Sequence, residues 1–334
     1  MKFGVLQFFS WPEARVSLPT VYRRAMERIQ VMDKGGYDAV WLAEHHFTRY
    51  SVCPSVHMMG LHVANHTQNI RIGMAVSLAA FYHPLRLAEE VAFLDVLTGG
   101  RINWGAGRGF DPVEFKVFGV PVSESGKRFH EAVEIVREAW TKERVNFCGE
   151  FWNFENVEVL PKPVQQPHPP IWLAAGSPGA AKWAGKRGYS IMLGPHSTFH
   201  ENAEHYEIYK QELDAYKHCL AGRDIPMARF IAVSDSDEAA QEVARHGVSW
   251  EAQSYMNASK ATNPESKDQS ILTMDRSAQI ERYVDSVVIH GSPERVIDQI
   301  EKLREQMHLD YLMAAPLSHS SFMMFTEKVV PHFL

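Results

Sequence analysis

Hydrophobic residues along this chain form short continuous runs that alternate with longer amphipathic segments. A short apolar run bounded by turn residues is typical of a buried strand, and apolar positions every three or four residues are typical of a helix. The strand pattern covers eight segments: 2–8, 37–43, 70–78, 101–107, 171–175, 189–193, 227–233 and 310–316. The helix pattern covers residues 18–36, 55–66, 83–100, 126–141, 177–187, 199–221, 237–250 and 292–307.

This alternation of strands and helices predicts an α/β protein with a parallel sheet. Eight successive units favour a closed (β/α)8 barrel of the TIM type, although the chain is longer than the usual ~250 residues. An open, doubly wound sheet is the alternative. Neither an internal repeat nor a linker is visible, so we expect residues 1–334 to form a single domain.

Two segments do not follow the alternation of strands and helices. They account for the residues beyond the usual length of such a barrel. Residues 145–170 are aromatic, contain glycine and end in a proline-rich stretch, which predicts a surface hairpin followed by an extended connection. Residues 256–277 are polar and have no regular period, which predicts a mobile loop.

Composition and charge narrow the possible environments and partners. The formal net charge is −6, which argues against binding to nucleic acid or to an anionic membrane surface. The three cysteines, Cys53, Cys148 and Cys219, are far apart and form no CxxC motif, so a disulfide framework is not expected. The chain shows no signal-peptide pattern and no apolar stretch of ~18 residues, and we therefore expect a cytoplasmic protein without a membrane segment.

Small, polar and histidine residues are concentrated where the predicted strands end. In a (β/α)8 barrel the active site lies at the C-terminal ends of the strands. The segments in question are EHH at 44–46, Ser77, GAGRG at 105–109, AAGSPG at 174–179 and LGPHS at 193–197.

The segment around Ser177 has the composition of a phosphate-binding helix start. Ser177 suits the N-cap, Pro178 suits the first helical position, and the small neighbours leave backbone N–H groups accessible. A helix N-terminus of this kind binds phosphate through its amides and its dipole, and Arg108 could contribute a charged hydrogen bond. A plain helix cap without a ligand explains the same residues.

The EHH motif allows three interpretations. A metal site is disfavoured, because Glu44, His45 and His46 are adjacent and cannot all point inward, so we expect no bound metal. Either histidine could be structural, with its nitrogens bonded to neighbouring groups. In the third interpretation one histidine faces the pocket as an acid or base and the other is turned away, a role that suits imidazole because it titrates near neutral pH.

Several ordered motifs resemble the bacterial luciferase-like, flavin-dependent monooxygenase family, most closely the luciferase catalytic subunit. They include DAVWLAEHHFTRY, IRIGMAVSLAAFYHPLRLAEEVAFLDVLTGGRINWGAGRG, FKVFGV and GSPERVIDQI. The resemblance covers most of residues 1–195 and returns near 290–315. It implies a (β/α)8 barrel that receives reduced FMN from a separate flavin reductase and uses dioxygen to oxygenate an organic substrate.

The resemblance also implies roles for individual residues. His45 matches the catalytic histidine, and the Ala75–Val76 bond matches a cis peptide under the flavin ring. Residues 256–277 match a mobile lid. The remaining implied cofactor contacts are Gly107, Arg108, Gly176, Ser177, Pro178, Gly179, Ala180 and Leu193, of which Arg108 and residues 176–180 match the phosphate site.

The chain departs from luciferase in ways that affect the expected activity. Gly107 stands where luciferase has a reactive cysteine, so we expect more room beside the flavin, and the resemblance does not decide whether the reaction emits light. Gly176 and Ala180 replace a glutamate and a threonine of its phosphate loop. Luciferase pairs two different subunits, whereas this chain is expected to form a homodimer through helices 55–66 and 83–98.

Aromatic residues after the first and third strands are candidates for a substrate pocket. Phe8, Phe81 and Tyr82 are the predicted substrate contacts, and ordinary packing is the alternative. Elsewhere, we expect Asp95 and Arg101 to form a structural ion pair.

We therefore predict a two-component FMN-dependent monooxygenase that acts on an apolar organic substrate, such as an aldehyde or ketone. A deazaflavin-dependent oxidoreductase of the same fold and a non-catalytic flavin-binding protein are the two alternatives.

Overall fold

The structure is a computed structural model that describes residues 1–262, 276–307 and 309–334. The chain divides into two compact units. Unit 1 comprises Met1–Leu6, Gly35–Asp38 and Ala175–Leu334, and unit 2 comprises Gln7–Lys34 and Ala39–Ala174. Within the described ranges, no helix is long and apolar enough to cross a membrane.

The strands lie close to the predicted segments. Their bounds are β1 Lys2–Gln7, β2 Ala39–Leu42, β3 Arg71–Met74, β4 Ser77–Leu78, β5 Ile102–Gly107, β6 Arg144–Cys148, β7 Asn153–Glu158, β8 Ile171–Ala174, β9 Ser190–Met192, β10 Met227–Val233, β11 Val288–Gly291 and β12 Tyr311–Pro316.

The helices occupy most of the intervening chain. Their bounds are α1 Leu18–Lys34, α2 Val56–Ala64, α3 Pro84–Leu97, α4 Pro112–Phe118, α5 Val122–Thr141, α6 Pro178–Arg187, α7 Phe199–Ala215, α8 Asp237–Thr262, α9 Arg276–Val287, α10 Pro293–Met307, α11 His319–Met324 and α12 Val330–Phe333.

The sheet of unit 2 is parallel, with strand order β2-β3-β5-β8, and β4 also pairs with β5. Its strands are buried along nearly their whole length, as expected for parallel strands covered on both faces. A Cβ atom on Gly73 would overlap the ring of Trp41. Trp41 is fully buried and meets Trp172 edge to face at 5.3 Å. Glycine at 73 therefore makes room for one of the largest side chains of this core.

The predicted hairpin near 145–170 is confirmed as the antiparallel pair β6–β7. Glu131 on α5 holds its turn, since its carboxylate accepts the backbone N–H groups of Glu150, Phe151 and Trp152 at 2.6, 3.1 and 3.3 Å. Residues 159–170 contain neither helix nor strand before β8, which agrees with the predicted extended connection.

Unit 1 also has a parallel sheet, with strand order β11-β10-β12-β1. Leu193, just after β9, forms an isolated parallel bridge with Met227. The guanidinium of Arg229 on β10 is fully buried and donates to the carbonyl oxygen of Ser197 at 2.8 Å. Burial lowers the pKa of Arg229 to about 9. Arg229 thus ties the segment that follows β9 to the sheet.

The prediction for residues 237–290 was incomplete. Strand β11 and helix α9 were not predicted, and α8 continues to Thr262 rather than ending near 250. The loop predicted over 256–277 therefore begins and ends in helix, and its central part, 263–275, lies outside the described residues. The polar stretch hid the end of α8, because a helix without an apolar stripe has no period to detect.

The predicted ion pair between Asp95 and Arg101 was wrong. The Asp95 carboxylate accepts the backbone N–H of Gln165 at 3.0 Å and its side-chain amide at 2.6 Å. Arg101 donates instead to the carbonyl of Ala64 and the hydroxyl of Thr67, both at 3.0 Å. Asp95 is fully buried. The two hydrogen bonds that it accepts from Gln165 anchor the segment before β8.

Candidate active site

The EHH motif follows β2 directly and separates into two histidine–carboxylate pairs. Glu44 and His45 are buried, and His46 is partly exposed. His45 faces Glu114 on α4, whereas His46 faces Glu44. The two imidazoles therefore have different partners, and they do not converge on one point.

Neither ring nitrogen of His45 is hydrogen-bonded by a described residue. Its Nδ1 lies 3.4 Å from Oε1 of Glu114, close enough for an ion pair but without hydrogen-bond geometry. Tyr50 and Phe110 contact the ring edge-on at 4.8 and 5.5 Å. No described residue hydrogen-bonds Nε2. With Nδ1 directed at a carboxylate, Nε2 is the atom that can exchange a proton with a bound molecule.

His46 is held in place by its surroundings. Its Nε2 lies 3.1 Å from Oε1 of Glu44, and its backbone N–H donates to Glu114 at 2.9 Å. Glu44 also accepts the hydroxyl of Tyr82 at 3.0 Å. Burial and the Glu44 charge raise the pKa of Tyr82, so its hydroxyl stays protonated and donates. This arrangement matches the interpretation in which one histidine is turned away and bonded.

Beside β5, Val76 fills the space that a side chain at 107 would need. The Ala75–Val76 peptide is cis, as the resemblance implied. A Cβ atom built on Gly107 would overlap Cγ2 of Val76. The expectation that glycine at 107 leaves extra room is therefore wrong, because Val76 occupies that volume.

Arg108, at the end of β5, carries a positive charge that no described residue neutralises. The residue is half-buried, and burial lowers the pKa of its guanidinium. No hydrogen bond or ion pair joins it to the described part of the chain. A guanidinium in such a position suits a phosphate, whose geometry and charge match its donors.

In unit 1, the predicted N-cap of α6 is confirmed. The Ser177 hydroxyl accepts the backbone N–H of Ala180 at 3.3 Å. This bond uses the Ala180 amide, and Pro178 has none, so Gly176, Ser177 and Gly179 supply the amides of this segment that have no acceptor in the described part of the chain. A Cβ atom on Gly176 or Gly179 would meet nothing within 4 Å, which leaves open space at this helix end. Leu193, the other predicted contact in unit 1, is buried.

The predicted substrate contacts have protein partners. Phe8 meets Tyr50 at 5.2 Å. Phe81 stacks on Phe118 at 5.1 Å, and the hydroxyl of Tyr82 is bonded to Glu44. These contacts agree with the packing alternative, and the substrate role of Phe8, Phe81 and Tyr82 stays a prediction.

A second polar cluster lies at the end of β4. His57 on α2 places Nε2 3.0 Å from the hydroxyl of Ser77 and Nδ1 3.1 Å from the carboxylate of Glu90 on α3. Ser77 is fully buried and His57 nearly so. The sequence had indicated Ser77 through its position at a strand end.

Sequence reasoning missed three residues of these clusters: Glu114, His57 and Glu90. All three lie on helices, where nothing in the sequence separates an inward-facing polar residue from a solvated one. Glu114 had one weak signal, since it lies in the short segment that follows the GRG turn at 107–109.

The chain has relatives among known proteins. A family model described as luciferase-like monooxygenase matches residues 1–309. The oxygenase component of a flavin-dependent trigonelline monooxygenase from Acinetobacter baylyi is 31% identical over 246 residues, which cover 73% of this chain and 68% of that protein.

Solved structures share the fold over the full length. The monooxygenase RslO1 from Streptomyces bottropensis has a TM-score of 0.82 and 27% identity, with 100% of both chains covered. An F420-dependent secondary alcohol dehydrogenase has a TM-score of 0.78 over 99% of this chain, and its 18% identity shows a common fold alone. The (β/α)8 fold class predicted from the sequence is confirmed, and the open doubly wound sheet is excluded.

Proposed function

This chain belongs to the luciferase-like monooxygenase family, and on that premise we propose that it is the oxygenase component of a two-component enzyme. It is a flavin-dependent monooxygenase. In the proposed reaction it receives reduced FMN from a separate flavin reductase and uses dioxygen to oxygenate an apolar organic substrate, such as an aldehyde or ketone. The similar trigonelline enzyme is named as an oxygenase component, which supports the two-component arrangement.

The observation that carries the proposal is the environment of His45. Its ring is enclosed by Tyr50 and Phe110, its Nδ1 faces the buried carboxylate of Glu114, and its Nε2 has no partner among the described residues. A structural histidine normally has both nitrogens satisfied, since buried polar groups are nearly always hydrogen-bonded. His45 instead has no hydrogen bond to either ring nitrogen among the described residues, which leaves Nε2 available to a ligand.

Each unit, taken by itself, carries residues that suit the phosphate of FMN. In unit 2, Arg108 offers a guanidinium that no described residue neutralises. In unit 1, Gly176, Ser177 and Gly179 offer backbone amides without an acceptor among the described residues, and a Cβ atom on either glycine would meet open space. Ala75, Val76, Gly107, Pro178, Ala180 and Leu193 stay predicted cofactor contacts.

In the proposed mechanism the protein binds, orients and moves protons. Bound reduced flavin supplies the electrons and the chemistry with dioxygen. Glu114 holds the His45 ring, and Nε2 donates or accepts the proton that accompanies oxygen transfer. Tyr50 and Phe110 shield the imidazole from water. This limits side reactions with water and the loss of the imidazole proton to solvent.

Flavin titration tests the cofactor. We expect the protein to bind reduced FMN, measured by fluorescence under anaerobic conditions, and Arg108→Ala to raise Kd by about tenfold or more, since a charged hydrogen bond contributes about 1.5–3 kcal/mol. Arg23→Ala is the control, because Arg23 is exposed on α1, where it pairs with Glu27. An unchanged Kd in Arg108→Ala would remove Arg108 from the phosphate site, and preferential binding of F420 would support the deazaflavin alternative.

Turnover tests the role of His45. With NADH, a flavin reductase and a panel of apolar aldehydes and ketones, oxygenated product is measured by mass spectrometry. We expect His45→Ala to bind FMN normally and to lose at least ~10²-fold in rate, the usual effect of removing a general acid or base. His200→Ala, at an exposed position on α7, is the control. FMN binding without any oxygen-dependent product would favour the non-catalytic flavin-binding protein.

A homodimer and a cytoplasmic location complete the proposal. Helices α2 and α3 pack against each other and expose apolar side chains, including Met58 at 77% and Phe93 at 54%. Such a surface supports association with a second copy of the chain. A cytoplasmic location would place the protein where a reductase can deliver reduced flavin.

A further inference from the structure

A hydrogen-bonded series of four side chains runs from the surface of α3 to the buried end of β4. Arg86 donates through Nε to Glu90 at 2.7 Å, Glu90 lies 3.1 Å from His57 Nδ1, and His57 Nε2 lies 3.0 Å from Ser77 Oγ. Exposure falls along the series, from 69% for the Arg86 side chain and 30% for Glu90 to 6% for His57 and none for Ser77. We call these residues the His57 series.

The charge on Glu90 fixes the direction of the hydrogen bonds. The bond from His57 and the bond from Arg86 lower the pKa of Glu90 to about 2, so its carboxylate is ionised at neutral pH and only accepts. His57 Nδ1 must therefore carry a proton. In a neutral imidazole the other nitrogen is then an acceptor, and Ser77 donates its hydroxyl proton to Nε2.

Protonation of His57 would reverse the last bond. Nε2 would then be a donor, and the Ser77 proton would need another acceptor. No second acceptor for Ser77 is present in the described part of the chain, and Ser77 is fully buried. A buried hydroxyl without an acceptor is unfavourable, so the charged imidazole weakens the attachment of Ser77 to α2.

Ser77 is directly joined to the Ala75–Val76 peptide. Val76 packs on Gly107, and Ser77 and Leu78 pair with Ala106 and Gly107 of β5. Any loosening of Ser77 therefore reaches the segment that is predicted to contact the flavin ring.

We propose that His57 is a positioning residue that holds β4 and the Ala75–Val76 peptide in place when neutral and releases them when protonated. This inference rests on the proposed function, because it assigns a role to the segment expected to contact flavin. His57 acts through Ser77 and needs no contact with substrate or cofactor.

The titratable groups that face His57 come from two elements. On α3 these are Glu90 and, through it, Arg86. The ring of Tyr82, in the segment before α3, meets the His57 ring at 5.7 Å, and its hydroxyl donates to Glu44. Tyr82 stays protonated, because burial and Glu44 raise its pKa, so Glu90 is the charge in direct contact with His57.

Hydrogen–deuterium exchange tests the inference without flavin. The amide exchange of the peptide covering 75–78 is followed from pH 5 to 8 and corrected for the intrinsic effect of pH. We expect protection in the wild type to fall by about tenfold toward pH 5, the effect of one lost hydrogen bond. His57→Gln, whose amide can donate to Glu90 and accept from Ser77 but does not titrate, should stay protected throughout.

Three further variants complete the exchange test. A thermal melt first shows whether His57→Leu is folded. This variant removes the hydrogen bonds to Glu90 and Ser77, so the 75–78 peptide should lose protection at every pH. In Ser77→Ala the protection of the 75–78 peptide should also be independent of pH. This variant decides the question if His57→Leu does not fold. His62→Gln, an exposed position on the same helix, should behave as the wild type. An identical pH response in His57→Gln and the wild type would overturn the proposal.

FMN titration over the same pH range links the exchange result to the cofactor. The FMN phosphate itself titrates near pH ~6, so His62→Gln gives the reference profile and the difference in His57→Gln isolates His57. We expect His57→Gln to bind about tenfold more tightly than the reference at pH 5 and equally at pH 8. Equal affinities at both pH values would refute the link to flavin. A wild type that binds no FMN would refute the proposed function, while the exchange experiment would still decide the role of His57.

Discussion

At the scale of single residues, the tightest fit in the site joins Gly107 and Val76. A side chain at 107 would overlap Val76, so each residue limits what the other can be. We expect Gly107→Ala to destabilise the protein by about 1–3 kcal/mol through overpacking, and Val76→Ala to recover part of this loss in the double variant. Urea unfolding of the two single variants and the double variant measures the coupling. Strict additivity of the two effects would show that the side chains do not compete for the same space.

Residue type and position at a strand end predicted part of the candidate site. His45, Arg108 and Ser177 follow apolar runs, and helix capping by Ser177 is a local property that four residues encode. The partners of the histidines could not be predicted in this way. Glu114 and Glu90 reach their histidines only because helices pack on the sheet, and a single sequence does not record which helical face turns inward.

At the scale of elements, Glu90 ties α3 to α2. Its pKa is lowered from 4.5 to about 2 by His57 and Arg86, so the stability that it adds is complete above pH ~4.5 and is lost as the pH falls toward 2. We expect Glu90→Gln to reduce the free energy of unfolding by about 1–2 kcal/mol at pH 7, less than full linkage because the carboxylate is partly exposed. The difference from the wild type should shrink as the pH is lowered.

Urea unfolding at pH 7, 5 and 3.5 measures this trend. Glu89→Gln, at the neighbouring position of the same helix, is the control. A difference between Glu90→Gln and the wild type that stays constant from pH 7 to 3.5 would contradict a lowered pKa at Glu90.

The elements themselves were predicted well where their patterns were strong. Apolar runs located the parallel strands of both units, and glycine and aromatic residues located the β6–β7 hairpin. Strand β11 was missed because its apolar residues follow α9 without a turn residue between them. The extent of α8 was missed because small and polar residues dominate its C-terminal part.

At the scale of the whole molecule, the exposed apolar side chains of α2 and α3 form the surface of the proposed homodimer. We expect a homodimer in sedimentation velocity, and Phe93→Glu to raise its dissociation constant by more than about tenfold, because a central aromatic residue contributes about 2 kcal/mol or more to an interface. Leu160→Glu is the control, since Leu160 is 58% exposed but lies outside both helices. A monomeric wild type, or equal effects of the two substitutions, would exclude this surface as the interface.

The complementarity between Gly107 and Val76 also constrains how the family could diversify. A lineage with this pair cannot acquire a side chain such as cysteine at 107 in a single neutral step, because the new side chain would collide with the valine. The smaller residue at 76 has to arise first. Ancestral reconstruction should therefore find a reduced side chain at 76 on every branch that leads from glycine to a bulkier residue at 107.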